Sequence, residues 1–94
     1  MSYNIVPSTR FKKSLKKYLK IPSKKEAIKS TINLLADGGY KTIPATMLPH
    51  KLKGNYNGYW ECHILPDLLL IWQQEEKPEK EILLIELGSH SDLF

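Results

Sequence analysis

The sequence predicts an α+β fold in which two helices pack on a small sheet, with a strand, two helices and three further strands in chain order. Three observations carry that expectation. Apolar residues at Phe11, Leu15, Tyr18 and Leu19 fall at i, i+4, i+7 and i+8, the spacing of one helix face. A second such face, Ala27, Ile28, Thr31, Leu34 and Leu35, follows closely enough to form a hairpin with the first. Residues 59–65, 68–73 and 82–87 are then short alternating or apolar runs separated by proline-containing turns, as in an antiparallel meander. With 94 residues, 41% of them hydrophobic, the chain is expected to make one domain over 1–94.

Taken in order, Tyr3-Asn4-Ile5-Val6 is short, partly β-branched and stopped by Pro7, which suits a strand at a sheet edge. Ser8 or Thr9 can cap the first helix, whose remaining surface carries Lys12, Lys13, Lys16, Lys17 and Lys20 and which Pro22 is expected to end. Ser23-Lys24-Lys25-Glu26 has the Ser-x-x-Glu form of a capping box, and Gly38-Gly39 supplies a left-handed residue to close the second helix. From Tyr40 to Gly58, prolines, glycines and the lack of any period predict an extended loop. In the strand after it, alternation puts Trp60, Cys62 and Ile64 on an inner face and Tyr59, Glu61 and His63 on an outer, polar one. The next two strands are apolar on both faces and belong in the sheet centre.

The net charge of +4 conceals an asymmetry: residues 1–53 hold 12 Lys/Arg against 2 Asp/Glu, and residues 54–94 hold 2 against 8. The basic half would attract a polyanion, either nucleic acid or an acidic protein segment. No run of about 18 apolar residues is present to span a bilayer, and no basic, then apolar, leader opens the chain, so the expected location is the cytoplasm. Cys62 is the only cysteine and reads as core filler.

All three histidines stand beside Gly, Pro or Asp near an apolar strand: His50 after Pro49, His63 shortly before Pro66-Asp67, and His90 after Gly88-Ser89. Strand ends are where a site is displayed, and imidazole is the side chain that gives and takes protons near neutral pH. Their spacing matches no compact zinc pattern, and neither a Gly-x-Ser-x-Gly elbow nor a phosphate-binding glycine loop occurs, so metal and cofactor are expected to be absent. For a small basic protein working without a cofactor, RNA cleavage is the outstanding chemistry, since RNA carries its own nucleophile and needs only an acid, a base and a cation. Lys51 and Lys53 would hold phosphates, and Phe94, Tyr56 or Tyr59 could stack on bases.

The motifs His50-x-Leu52-x-Gly54, Gly58-Tyr59, His63-Ile64-x-Pro66-Asp67 and Gly88-Ser89-His90-Ser91-x-Leu93-Phe94 resemble, in order and spacing, the YafQ-like branch of the RelE superfamily of bacterial toxins. The resemblance implies a β-α-α-β-β-β domain with a twisted antiparallel sheet. It implies the toxin of a type II toxin–antitoxin pair, cutting mRNA in the ribosomal A site and leaving a 2′,3′-cyclic phosphate. It also implies a cognate antitoxin of ribbon-helix-helix type, with operator DNA engaged only through that antitoxin. The positions matching His50, His63, Asp67, His90 and Phe94 would form the active site, with His90 as general acid and His50, His63 or Asp67 as base or its orienter. Two positions depart from the pattern: the family commonly carries arginine two residues before Gly-Ser-His and three before His63, where this chain has Glu86 and Trp60. Lys51 or Lys53 would then substitute as point charges, or Glu86 would take the base role. The competing expectation is a catalytically weak protein of the same fold that serves as an antitoxin-binding module and co-regulator of its operon.

Overall fold

The computed structural model describes residues 2–94. In chain order it consists of β1 (Asn4–Pro7), α1 (Thr9–Leu15), α2 (Pro22–Gly38), β2 (His50–Lys51), β3 (Trp60–Leu65), β4 (Leu68–Glu75), β5 (Glu81–Gly88) and a terminal turn of helix, α3 (His90–Leu93). The strands form one five-stranded sheet in the order β1-β5-β4-β3-β2. β2 to β5 are antiparallel neighbours, and β1 closes the edge by pairing parallel with β5, so the sheet is mixed only at that edge.

Ser8 caps α1, accepting from the Phe11 amide at 3.0 Å, and Phe11 enters the core. The helix is shorter than its apolar spacing predicts. After Leu15 the backbone bonds become i→i−3, from Lys17 to Ser14 and from Tyr18 to Leu15, and residues 16–20 continue as turns. That tighter winding rotates the stripe out of register. Leu15 and Tyr18 still reach the core, but Leu19, expected to be buried with them, is 45% exposed.

Pro22 opens α2 rather than ending α1. It occupies the first helical position, where a missing N–H costs nothing because no intrahelical partner exists for it. Ile21 is therefore the cap residue and Ser23 lies inside the first turn, so the expected Ser23–Glu26 capping box does not form. The far end agrees with the sequence. Gly39, at φ 67°, closes α2 with its amide on the Leu35 carbonyl, and a Cβ there would lie within 3 Å of the Gln74 side chain.

Ile28, Leu35 and Phe11 pack on the inner sheet face with Cys62, Leu68, Leu70, Trp72, Ile82, Leu84 and Leu87. Cys62 is fully buried, and burial pushes its thiol up to about 12. Among the described residues no helix is long and apolar enough to cross a membrane.

The 40–58 segment is not a featureless loop. It folds into 3-10 turns at Gly39–Thr42, Ala45–Met47 and Gly54–Tyr56, and it contributes the two-residue strand β2. β2 makes β3 an interior strand, with His50 opposite Glu61 and Lys51 opposite Trp60. Glu61 is consequently buried, only 4% exposed, where alternation alone places it on an open polar face.

Candidate active site

The face of the sheet opposite the helix core carries two rows of side chains that the register aligns. His50, Glu61, Ile71 and Glu86 are paired in succession across β2, β3, β4 and β5. One step along the strands, His63 pairs with Leu69 and Leu69 with Gly88. Directly paired residues project from the same face, so both rows look the same way.

His90 reaches this face because the chain turns sharply after β5. Ser89 caps α3 in a complete capping box, its hydroxyl accepting from the Asp92 amide while the Asp92 carboxylate accepts from the Ser89 amide. Those bonds from Ser89 hold the Asp92 carboxyl below its ordinary range. Gly88 permits the turn, since a Cβ there would meet the Asp92 side chain at 3.0 Å. The His90 ring then lies 5.6 Å from the His63 ring, centroid to centroid. Asp67, in the β3–β4 turn, accepts from the His90 amide at 3.4 Å and sets Oδ1 3.6 Å from His90 Nδ1. His63, Asp67 and His90 are thus brought together.

His50 stands in the neighbouring row, with both ring nitrogens engaged by the protein: Nδ1 lies 2.7 Å from the Leu48 carbonyl oxygen and Nε2 lies 3.2 Å from Glu61 Oε1. Glu61 Oε2 is buried without a hydrogen-bond partner among the described residues. Glu86 is also buried, and both of its oxygens are occupied. The Tyr56 hydroxyl donates to Oε2 at 2.5 Å, and Arg10 Nε lies 3.3 Å from Oε1. The bond to Glu86, aided by burial, raises the Tyr56 phenol above its usual range. Phe94 is exposed and meets Tyr56 edge to face at 5.6 Å, with the His90 ring 6.4 Å away. Tyr56 and Phe94 thereby link the Glu86 end of the face to the histidine pair.

Lys51 does not join this face, where it was expected. Lys51, next to His50 on a two-residue strand, necessarily points the other way, and its ammonium sits over the Trp60 ring at 5.6 Å. It lines a cleft of about 630 Å³ with Tyr40, Lys41, Trp60 and Lys80, which contains none of the histidines. His63 instead borders a smaller cleft of about 340 Å³ with Met47, Leu48 and Pro66. Lys53 is exposed beside the Gly54–Tyr56 turn. The sequence reading missed Glu61 as a partner of His50 and Arg10 as a partner of Glu86. Only the pairing of β2 and the fold of α1 onto β5 bring these residues together. Among the described residues no three His, Cys, Asp or Glu side chains are grouped as a metal would require.

Comparison with known proteins shows the family. Residues 3–94 match the family described as the bacterial toxin of type II toxin–antitoxin system, YafQ. The mRNA interferase toxin YafQ of Escherichia coli (strain K12) is 36% identical over 53 residues, 55% of this chain and 53% of that protein, so the match spans about half the length of the relative. The crystal structure of YafQ from E. coli strain BL21(DE3) superposes with a TM-score of 0.85 at 26% identity, covering 98% of each chain. The E. coli DinJ–YafQ toxin–antitoxin complex contains a chain that superposes with a TM-score of 0.82 at 27% identity, covering 100% of this chain and 99% of that one. With its sheet register, its terminal capped histidine and a family match over nearly its whole length, the chain belongs to the YafQ family of type II toxin–antitoxin toxins.

Proposed function

We propose that this toxin is an mRNA interferase that cuts RNA by internal attack of a 2′-hydroxyl, with histidines as acid and base. The observation that carries the reading is the pair of imidazoles 5.6 Å apart, with the Asp67 carboxylate 3.6 Å from Nδ1 of one of them. Two neighbouring proton carriers are what a transfer to phosphorus within RNA requires. His63, whose ring nitrogens have no partner among the hydrogen bonds of the described residues, takes the proton of the 2′-hydroxyl. O2′ bonds to phosphorus, the P–O5′ bond breaks, and His90 gives its proton to the departing O5′. The 5′ fragment is left with a 2′,3′-cyclic phosphate. Asp67 beside Nδ1 turns the Nε2 edge of His90 towards the substrate. His50, fixed between Leu48 and Glu61, buttresses the face rather than serving as the base. Phe94, exposed and backed by Tyr56, offers a ring on which a base can stack.

By the same likeness the chain is held in check by a cognate antitoxin, of ribbon-helix-helix type, which also brings the pair to operator DNA. Its substrate is mRNA presented in the ribosomal A site, in the cytoplasm. Induction of the toxin with two reporter mRNAs, one translated and one identical but lacking a start codon, tests the ribosome requirement by primer extension. Discrete cuts are expected in the translated reporter alone. Equal cutting of both would refute the ribosome requirement, and an uncut translated reporter with growth unaffected would favour the reading in which the protein only binds antitoxin.

A further inference from the structure

We propose that Arg10 is the phosphate-binding cation of the histidine face and that Glu86 is its positioning residue. The inference deepens the cleavage reading and rests on it for the nature of the ligand.

The first step is where positive charge can come from. The phosphorus centre gains negative charge as O2′ attacks, and it needs a donor held in place beforehand. Lys51 is turned to the other side of the sheet, and Arg10 is the only arginine in the chain. The Arg10 side chain is 74% exposed while the Glu86 side chain beside it is 8% exposed. The pair is therefore asymmetric: a buried anion at the sheet surface anchors a cation that faces solvent. The ion pair with Glu86 is made through Nε, and among the described residues no hydrogen bond holds the guanidinium. Its outer N–H groups stay available for the paired donation to phosphate oxygens that a lysine cannot make.

The second step is rigidity. β5 bulges at Ile85, where Ile71 pairs with Glu86 and Trp72 with Leu84, leaving Ile85 unmatched. Bulges re-aim neighbouring side chains and are common beside active sites. Ser8, the cap of α1, fills this one: its amide donates to the Leu84 carbonyl at 2.9 Å and its hydroxyl to the Ile85 carbonyl at 2.9 Å. The first turn of α1 is thereby fastened to β5 one residue before Glu86, and Arg10 lies in that turn. Tyr56 holds the second oxygen of Glu86, so the carboxylate cannot swing away.

The third step is reach. Glu86 shares a face with Gly88, two residues further along β5, and Gly88 stands in the row of Leu69 and His63. At about 3.4 Å per residue the two rows are about 7 Å apart, within the span of a nucleotide and an arginine side chain. Glu86 itself is a poor candidate for the base, since Arg10 and Tyr56 already occupy its two oxygens.

Binding of a 2′-O-methyl RNA oligonucleotide, which lacks the nucleophile, measures the phosphate contact apart from cleavage. Arg10→Ala is expected to bind about tenfold more weakly, with a salt-dependence slope smaller by about one. Cleavage of mRNA on translating ribosomes should fall by about 10²–10³, and Arg10→Lys should recover the slope but only part of the rate. Glu86→Gln should weaken both readouts, and adding Arg10→Ala to it should cost little more. The exchange Arg10→Glu with Glu86→Arg should restore binding. Unchanged affinity and slope in Arg10→Ala would overturn the inference. So would a Glu86→Gln variant that binds normally but does not cleave, which would make Glu86 the base. If wild type cleaves no better than His90→Ala while Arg10→Ala still loses affinity, the phosphate contact stands and the cleavage reading falls.

Discussion

His90→Ala is expected to slow RNA cleavage by about 10²–10⁴-fold, the range for loss of a positioned proton carrier, without altering the melting temperature. The imidazole is exposed and lies on the last turn of the chain, outside the packed core. The capping bonds of α3 run through Ser89 and Asp92, and the bond to Asp67 uses the backbone amide of His90, so removing the ring breaks none of them. What disappears is the group that protonates the departing O5′, together with its edge against Phe94. Single-turnover cleavage and a thermal melt of the same preparation separate chemistry from folding. A melting temperature lowered by several degrees would show that the ring supports α3, and a rate within tenfold of wild type would remove it from the acid role.

Trp72→Ala is expected to cost about 3–5 kcal/mol of stability, a large share of the 5–15 kcal/mol typical of a domain. Trp72 is fully buried, stacks over Trp60 at 6.3 Å and donates from its indole to Gln74 Oε1 at 3.3 Å. Gln74 Oε1 also accepts from the Tyr40 amide, and Tyr40 stacks on Trp60 at 4.1 Å. The substitution therefore opens a cavity and loosens the start of the segment that carries His50. Urea unfolding measures the loss, and a change below about 1 kcal/mol would mean that the aromatic stack is not a keystone of the core.

Much of this was legible in the sequence, and the failures have physical causes. Strand and helix periods located every long element, and Gly39 closed α2 where a left-handed residue was needed. The motif resemblance grouped His63, Asp67 and His90, and the fold brings them together because His63 lies near the end of β3, Asp67 in the turn after it and His90 just past β5, ends that antiparallel register juxtaposes. Local signals failed where two of them competed or where pairing was long-range. Pro22 can end one helix or begin the next, and the short connection made it do the second. A two-residue strand has no period to detect, so β2 was invisible, and with it the burial of Glu61 and the turning away of Lys51. Arg10 and Glu86 are 76 residues apart in the chain, and they meet only because Ser8 seats α1 on the β5 bulge.

The most direct measurement is the chemistry of the cut ends, read by mass spectrometry after the antitoxin-free protein has acted on RNA, on translating ribosomes if free RNA is left intact. The account predicts 5′ fragments ending in 2′,3′-cyclic phosphate and 3′ fragments beginning with a 5′-hydroxyl, both lost in His90→Ala. Fragments with a 3′-hydroxyl and a 5′-phosphate would mean that water, not the 2′-hydroxyl, attacks phosphorus, and would contradict the roles given to His63 and His90.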